Sequence, residues 1–100
     1  VNIELIEEAR LEFLAALLFY KRVDRKVGRR FKALVEDNSR VIAARPELYS
    51  LREGGYRRVN LRGFPYYLPY VVRGDTVWVL AVAHGSREPE YWVGRQERFR

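Results

Sequence analysis

The 100 residues contain no cysteine, no methionine and a single histidine. Without cysteine there is neither a disulfide framework nor thiolate chemistry. One histidine is too few for an ordinary transition-metal site, so no metal or other cofactor is expected. A chain free of cysteine fits the cytoplasm, which is its expected location. Because methionine is missing even at position 1, the opening residues are expected to be absent or the start misread. No apolar run approaches the ~20 residues that a membrane-spanning helix needs, and no signal peptide is visible. The chain is therefore read as soluble, with no membrane partner. Lysine is scarce beside arginine, and the net charge is +6 with a pI near 10.0. That balance points to a polyanionic partner, nucleic acid or an acidic protein, although a GC-rich coding bias gives the same surplus of arginine.

One hundred residues suffice for one domain, residues 1–100, since a chain of this size can bury roughly 65% of its unfolded surface. Val1 to Leu5 alternates apolar and polar residues and reads as a short strand. Glu4, Glu7, Glu8 and Glu12 then place acids where a helix N-terminus favours them. Ile6, Ala9, Phe13, Leu17 and Tyr20 recur at helical spacing, and Leu11, Leu14 and Leu18 widen the stripe, which predicts a helix buried over more than half its girth. No Ser, Thr or Asp caps its start. After the basic turn Lys21-Arg22, Asp24 is a natural N-cap for a second helix to Ala44, with Val27, Phe31, Leu34, Asn38 and Val41 on one stripe and Pro46 beyond its end. So short a link makes the two helices antiparallel neighbours. Lys21, Arg22, Arg25, Lys26, Arg29 and Arg30 crowd the hairpin tip, either as a contact for an anion or as a solvated helix end.

Gly54-Gly55 pivots the chain into a meander from Tyr56 to Trp92. In the first strand Arg57, Val59 and Leu61 share one face and Arg58 and Asn60 the other. Arg62-Gly63 reads as a two-residue turn. The next strand, Phe64 to Val72, turns Phe64, Tyr66, Leu68, Tyr70 and Val72 toward the core. Pro65 and Pro69 remove two donors from one lateral edge, so pairing there is expected to be broken or bulged. Gly74-Asp75 makes the second turn. The last strand, Thr76 to His84, is apolar on both faces, as a central strand covered on both sides would be. If it stays regular, His84 shares a face with Trp78.

The order β-α-α-β-β-β, with RPELY (45–49), YRRVNLRGFPYYLPYVV (56–72) and DTVWVLAVAHGSREPEYW (75–92), resembles the RelE/ParE toxins of type II toxin–antitoxin systems, the plasmid-stabilisation type, over essentially the whole chain. The resemblance implies an α+β fold in which a helical hairpin packs on one face of an antiparallel sheet. It also implies a growth-arresting toxin held by an acidic antitoxin. RelE-like members cut mRNA on the ribosome with basic and tyrosine side chains. ParE-like members inhibit DNA gyrase without enzymatic action. A non-toxic orphan that binds an acidic partner is the third reading.

A metal-independent endoribonuclease needs a base, an acid and cations within hydrogen-bond reach of the reacting ribose and phosphate. Position by position, the resemblance offers Arg58 or Arg62, Arg87 and Tyr91 as catalytic residues, with His84 as acid or base. Tyr67, Arg73, Trp78 and Arg95 are expected to contact nucleic acid or another target. Arg58, Asn60, Tyr67, Arg73, Trp78 and His84 are placed on the face away from the helices, with Arg62, Arg87 and Tyr91 at its margins. Plainer roles stand beside these. His84 could bond to the turn that follows it, Arg87 could pair with Glu88 or Glu90, and Tyr67 and Trp78 could simply cover the sheet. The loop Leu48 to Gly55 has no lysine and one arginine, whereas ribosome-dependent relatives tend to be lysine-rich there, which weighs against the nuclease.

Overall fold

A computed structural model describes residues 1–99. It runs β1 (Asn2–Leu5), α1 (Glu7–Val23), α2 (Arg25–Ala44), β2 (Arg57–Asn60), β3 (Tyr66–Arg73), β4 (Thr76–Val79), β5 (Ala83–His84) and a closing 3-10 helix (Val93–Phe99). The sheet order is β1-β4-β3-β2, with β5 also on β3. The sheet is mixed rather than purely antiparallel: β2, β3 and β4 form the meander, while β1 lies parallel to β4. The helical hairpin packs on one face. The segment after His84 covers the other.

Asp24 caps α2 by accepting from the Lys26 N–H at 2.7 Å, and Ile6 gives α1 no side-chain cap. Gly28 lies where the helices touch: a Cβ there would stand 3.1 Å from the Lys21 backbone. The buried stripe of α2 is Phe31, Val35 and Ile42, and Val41 is exposed. On α1, Ala9, Ala16 and Leu17 are buried, as is Ile6 just before it. The expectation for its second flank fails, since Leu11, Leu14 and Leu18 lie open to solvent. A 3.6-residue period lets one helix carry two apolar stripes, and only one of them can face the sheet.

Phe31 is fully buried with Phe64, Tyr66 and Tyr20 edge-on or tilted around it at 5.1–5.4 Å. Tyr70, also fully buried, donates its hydroxyl to the Pro46 carbonyl at 2.8 Å and ties the loop that leaves α2 to the sheet. Between β2 and β3 the chain makes a four-residue loop closed by Leu61 N–H to the Tyr66 carbonyl, not a two-residue turn. The Gly74-Asp75 turn is as expected, with Arg73 opposite Thr76.

The two prolines decide the shape of the last strand. Pro69 accepts from Leu80 N–H and Pro65 from Gly85 N–H, so both face the β4/β5 side and neither can donate to it. Tyr70 pairs with Val79, but Tyr66 pairs with His84 and Tyr67 with Ala83. The register has slipped by one residue, which is a bulge at residues 80–82. Leu80 and Ala81 both pack in the cluster on the outer face with Trp92. Beyond them the alternation is inverted. The expected single strand from Thr76 to His84 is therefore two strands, and His84 faces Tyr66 on the hairpin side, not Trp78.

Two predictions follow from the packing. Phe31→Ala empties the centre of the aromatic cluster and should cost about 3–5 kcal/mol in urea unfolding followed by tryptophan fluorescence. Burial pushes the Tyr70 phenol up to about 12. Both states keep this proton below ~10; above that the unfolded chain releases it first, so stability falls as pH rises from about 10 toward 12. Urea midpoints measured stepwise over that range should fall less steeply in Tyr70→Phe.

Candidate functional site

Where β1 has turned into α1, no strand flanks the bulge, and side chains satisfy its backbone instead. Glu12 Oε1 accepts the Val82 N–H at 3.1 Å, while Arg95 donates to the Leu80 carbonyl at 3.0 Å. Arg95 and Glu12 also pair with each other through two bonds of 3.0 and 3.1 Å. Tyr91 donates its hydroxyl to Glu12 Oε2 at 2.7 Å, and Arg87 lies 3.5 Å from the same oxygen. The Glu12 and Arg95 side chains are 17% and 19% exposed, so this is a half-dry ion pair with both partners multiply bonded. Burial, and then the bond to Glu12, raise the Tyr91 phenol above its ordinary range and keep it protonated. The Arg87 guanidinium lies over the Tyr91 ring at 3.6 Å.

Three residues expected to serve as catalytic or contact groups, Arg87, Tyr91 and Arg95, are thus brought together on α1, at the sheet's bulged edge. Arg87 pairs with Glu12 and not with Glu88 or Glu90. His84 is nearby in the fold but turned to the hairpin side. Its Nδ1 accepts from Ser86 N–H at 3.0 Å and lies 2.8 Å from Ser86 Oγ, as a strand-end histidine bonded to its turn would. With Nδ1 so engaged the ring proton sits on Nε2. A shallow cleft of 310 Å³ lined by Ala15, Phe19, Tyr66, His84 and Arg87 opens beside it.

On the outer face the C-terminal segment covers what was expected to be bare. Trp92 is fully buried, its indole donating to the Tyr67 hydroxyl at 2.9 Å, with Tyr56 edge-on at 4.6 Å. Phe99 stacks on Trp78 at 5.0 Å, and Arg73 bonds to the Phe99 carbonyl at 2.7 Å. Gln96 is buried and donates to the Gly54 carbonyl at 2.8 Å. Arg98 pairs with Glu8 of α1. Tyr67 and Trp78 are cover for the sheet, itself covered. The expected single working surface does not exist, because its groups are divided between a capped edge and a roofed face.

What stays open is the free edge of β2. A groove of 680 Å³ runs along it, lined by Arg52, Arg58, Arg62, Asn60, Asn38 and Tyr49 among others, with no carboxylate in its wall among the described residues. Leu61 bonds to β3, so by alternation the backbones of Arg58 and Asn60 point outward into this groove. Arg58 lies over the Tyr67 ring at 4.1 Å, and its Nε is buried with no acceptor among the described residues. The sequence reading missed Glu12 as a site residue and Arg52 as a wall of the groove. The four-carboxylate opening of α1 gave no sign that one of them would cap a bulge 70 residues later.

The family description "ParE toxin of type II toxin-antitoxin system, parDE" matches residues 5–89. A solved chain of the chromosomal ParDE toxin–antitoxin system from P. aeruginosa is similar at a TM-score of 0.68 and 17% identity, over 84% of this chain and 95% of that one. At that identity the likeness is one of fold. No curated protein matches the chain.

Glu12→Ala leaves Arg95 half-buried without its partner and the Val82 N–H without an acceptor. It should cost about 2–4 kcal/mol in urea unfolding, loosen residues 86–99 to limited proteolysis and shift Trp92 emission to the red. Glu12→Gln, which keeps an acceptor, should lose less.

Proposed function

The chain belongs to the ParE toxin family of type II toxin–antitoxin systems, and on that footing we propose that it arrests growth by binding, as an inhibitor of DNA gyrase, and not by cutting RNA. The observation that carries this reading is the engagement of Arg87, Tyr91 and Arg95 by one carboxylate, Glu12. A phosphodiester cleaved at a ribose 2′-hydroxyl needs free cations to receive its charge and an acid and base poised on one surface. Here Arg87 and Arg95 already hold an anion, the phenol is kept protonated as a structural donor, and His84 is on the opposite side of the sheet from Arg58. An inhibitor that acts by contact has no need of such a constellation.

The groove at the β2 edge, with Arg52, Arg58 and Arg62, suits the acidic antitoxin expected of the family. Its arginines provide charge-assisted bonds for carboxylates, and the cytoplasm is where such a pair would meet. Gyrase, not the ribosome, is the target this reading names.

The test uses the intact chain. Purified protein should block supercoiling by gyrase and leave ribosome-bound mRNA uncut. His84→Ala and Tyr91→Phe should retain growth inhibition within about threefold once matched for folded protein. A loss of tenfold or more in either, worth about 1.4 kcal/mol of barrier, together with mRNA cleavage by the parent chain, would overturn the reading.

A further inference from the structure

The net charge does not say where the surplus of cations lies, but the order of residues does. The stretch KRVDRKVGRRFK, residues 21–32, has seven basic residues and one acid, Asp24. Seven less one is +6, the net charge of the whole chain, so the other residues balance to zero. A coding bias toward arginine would have spread the excess along the sequence. The fold gathers this stretch at one end, as the last turn of α1, the Asp24 link and the first two turns of α2. All seven basic residues are exposed. Ion pairs lie elsewhere: Arg10, Arg40, Arg87, Arg95 and Arg98 have carboxylate partners, and among the described residues none of the seven does. Asp24 is committed to the Lys26 N–H as the cap of α2.

This placement works against the fold. A helix N-terminus disfavours positive charge, yet the first turn of α2 has no acid and holds Arg25 and Lys26. Arg25 with Arg29, and Lys26 with Arg30, are like charges four apart on one helix, which destabilise it further. Lys21, Arg25 and Arg29 line a cleft of 330 Å³. Among the described residues its wall offers no apolar side chain against which a peptide or a lipid chain could be buried. It has no ring on which an unpaired base could stack and no free acceptor for a ribose 2′-hydroxyl. What it offers is charge in a row, Arg25 and Arg29 standing roughly 5–6 Å apart as helical neighbours do, with guanidinium forks that suit phosphate oxygens. A duplex presents such phosphates continuously along its length. We propose that the hairpin tip docks on the phosphate backbone of duplex DNA, without reading its sequence. This goes beyond gyrase inhibition and does not depend on it.

The test is fluorescence anisotropy of the intact chain with a labelled DNA duplex of arbitrary sequence, about 20 base pairs long. Binding should be micromolar at about 50 mM salt and weaken roughly 100-fold by about 200 mM, as release of counterions from about four phosphates requires. Arg25→Gln with Arg29→Gln should weaken it by about tenfold or more at the lower salt and reduce the salt slope by about two. The same pair should keep or raise the urea midpoint, because it removes like charges from a helix start. Arg40→Gln with Arg45→Gln takes the same charge from the far end of α2 and should change the affinity by no more than about twofold. Equal losses in the two pairs, a salt slope near zero, or no binding at the lower salt would each overturn the proposal. So would tighter binding, at matched salt, of an RNA duplex of the same sequence, of polyglutamate or of phosphatidylglycerol vesicles, since each would assign the tip to a different partner.

Discussion

The ion pair of Glu12 and Arg95 does what a neighbouring strand would otherwise do. Pro65 and Pro69 cannot donate to the last strand, which slips by a residue at 80–82, and β1 has already ended at Leu5. Left alone, the Val82 N–H and the Leu80 carbonyl would be orphans on buried residues, each costing about 1–3 kcal/mol. One carboxylate and one guanidinium satisfy both and then satisfy each other. Because Glu12 comes from α1 and Arg95 from the last turn of chain, the same pair fixes the helix, the bulge and the C-terminal segment in one place.

The arrangement constrains function through saturation. Glu12 is reached by Val82, Arg87, Tyr91 and Arg95, so the cations gathered at this corner already have their anion. A net charge of +6 is a statement about the whole surface, not about any one corner of it. The arginines in the groove along β2 and the basic hairpin tip are where that charge faces solvent, and Arg58 is set apart from the only histidine by the thickness of the sheet. A partly buried ion pair adds little net stability against an apolar alternative, but breaking one side of it is costly. Its value here is in specifying where the C-terminal segment lies.

The hairpin has its own division of labour. Close approach at Gly28 lets α1 and α2 meet along a narrow seam, and the aromatic cluster around Phe31 anchors them to the sheet. A helix held so firmly on one side can carry a second apolar side without losing its place in the fold. The leucines on the outward side of α1 stay exposed while the opposite side holds the core.

Local pattern was enough to determine the order of the first strand, the two helices and the meander, the N-cap at Asp24, the Gly74-Asp75 turn, the double-sided burial of residues 77–83 and the disturbance caused by two prolines. Each depends on residues a few positions apart, whose propensities and periods act within one element. The kinship to the toxins was legible in the same way, from the order of short motifs. The site was not. Which apolar stripe of α1 turned inward depended on what it met. The direction of His84 depended on a one-residue slip whose position was set across the sheet, and the fate of Arg87, Tyr91 and Arg95 on a glutamate some 80 residues earlier. Such pairings are chosen by unsatisfied backbone groups that come into being only when the strands assemble, so only the tertiary structure could decide them.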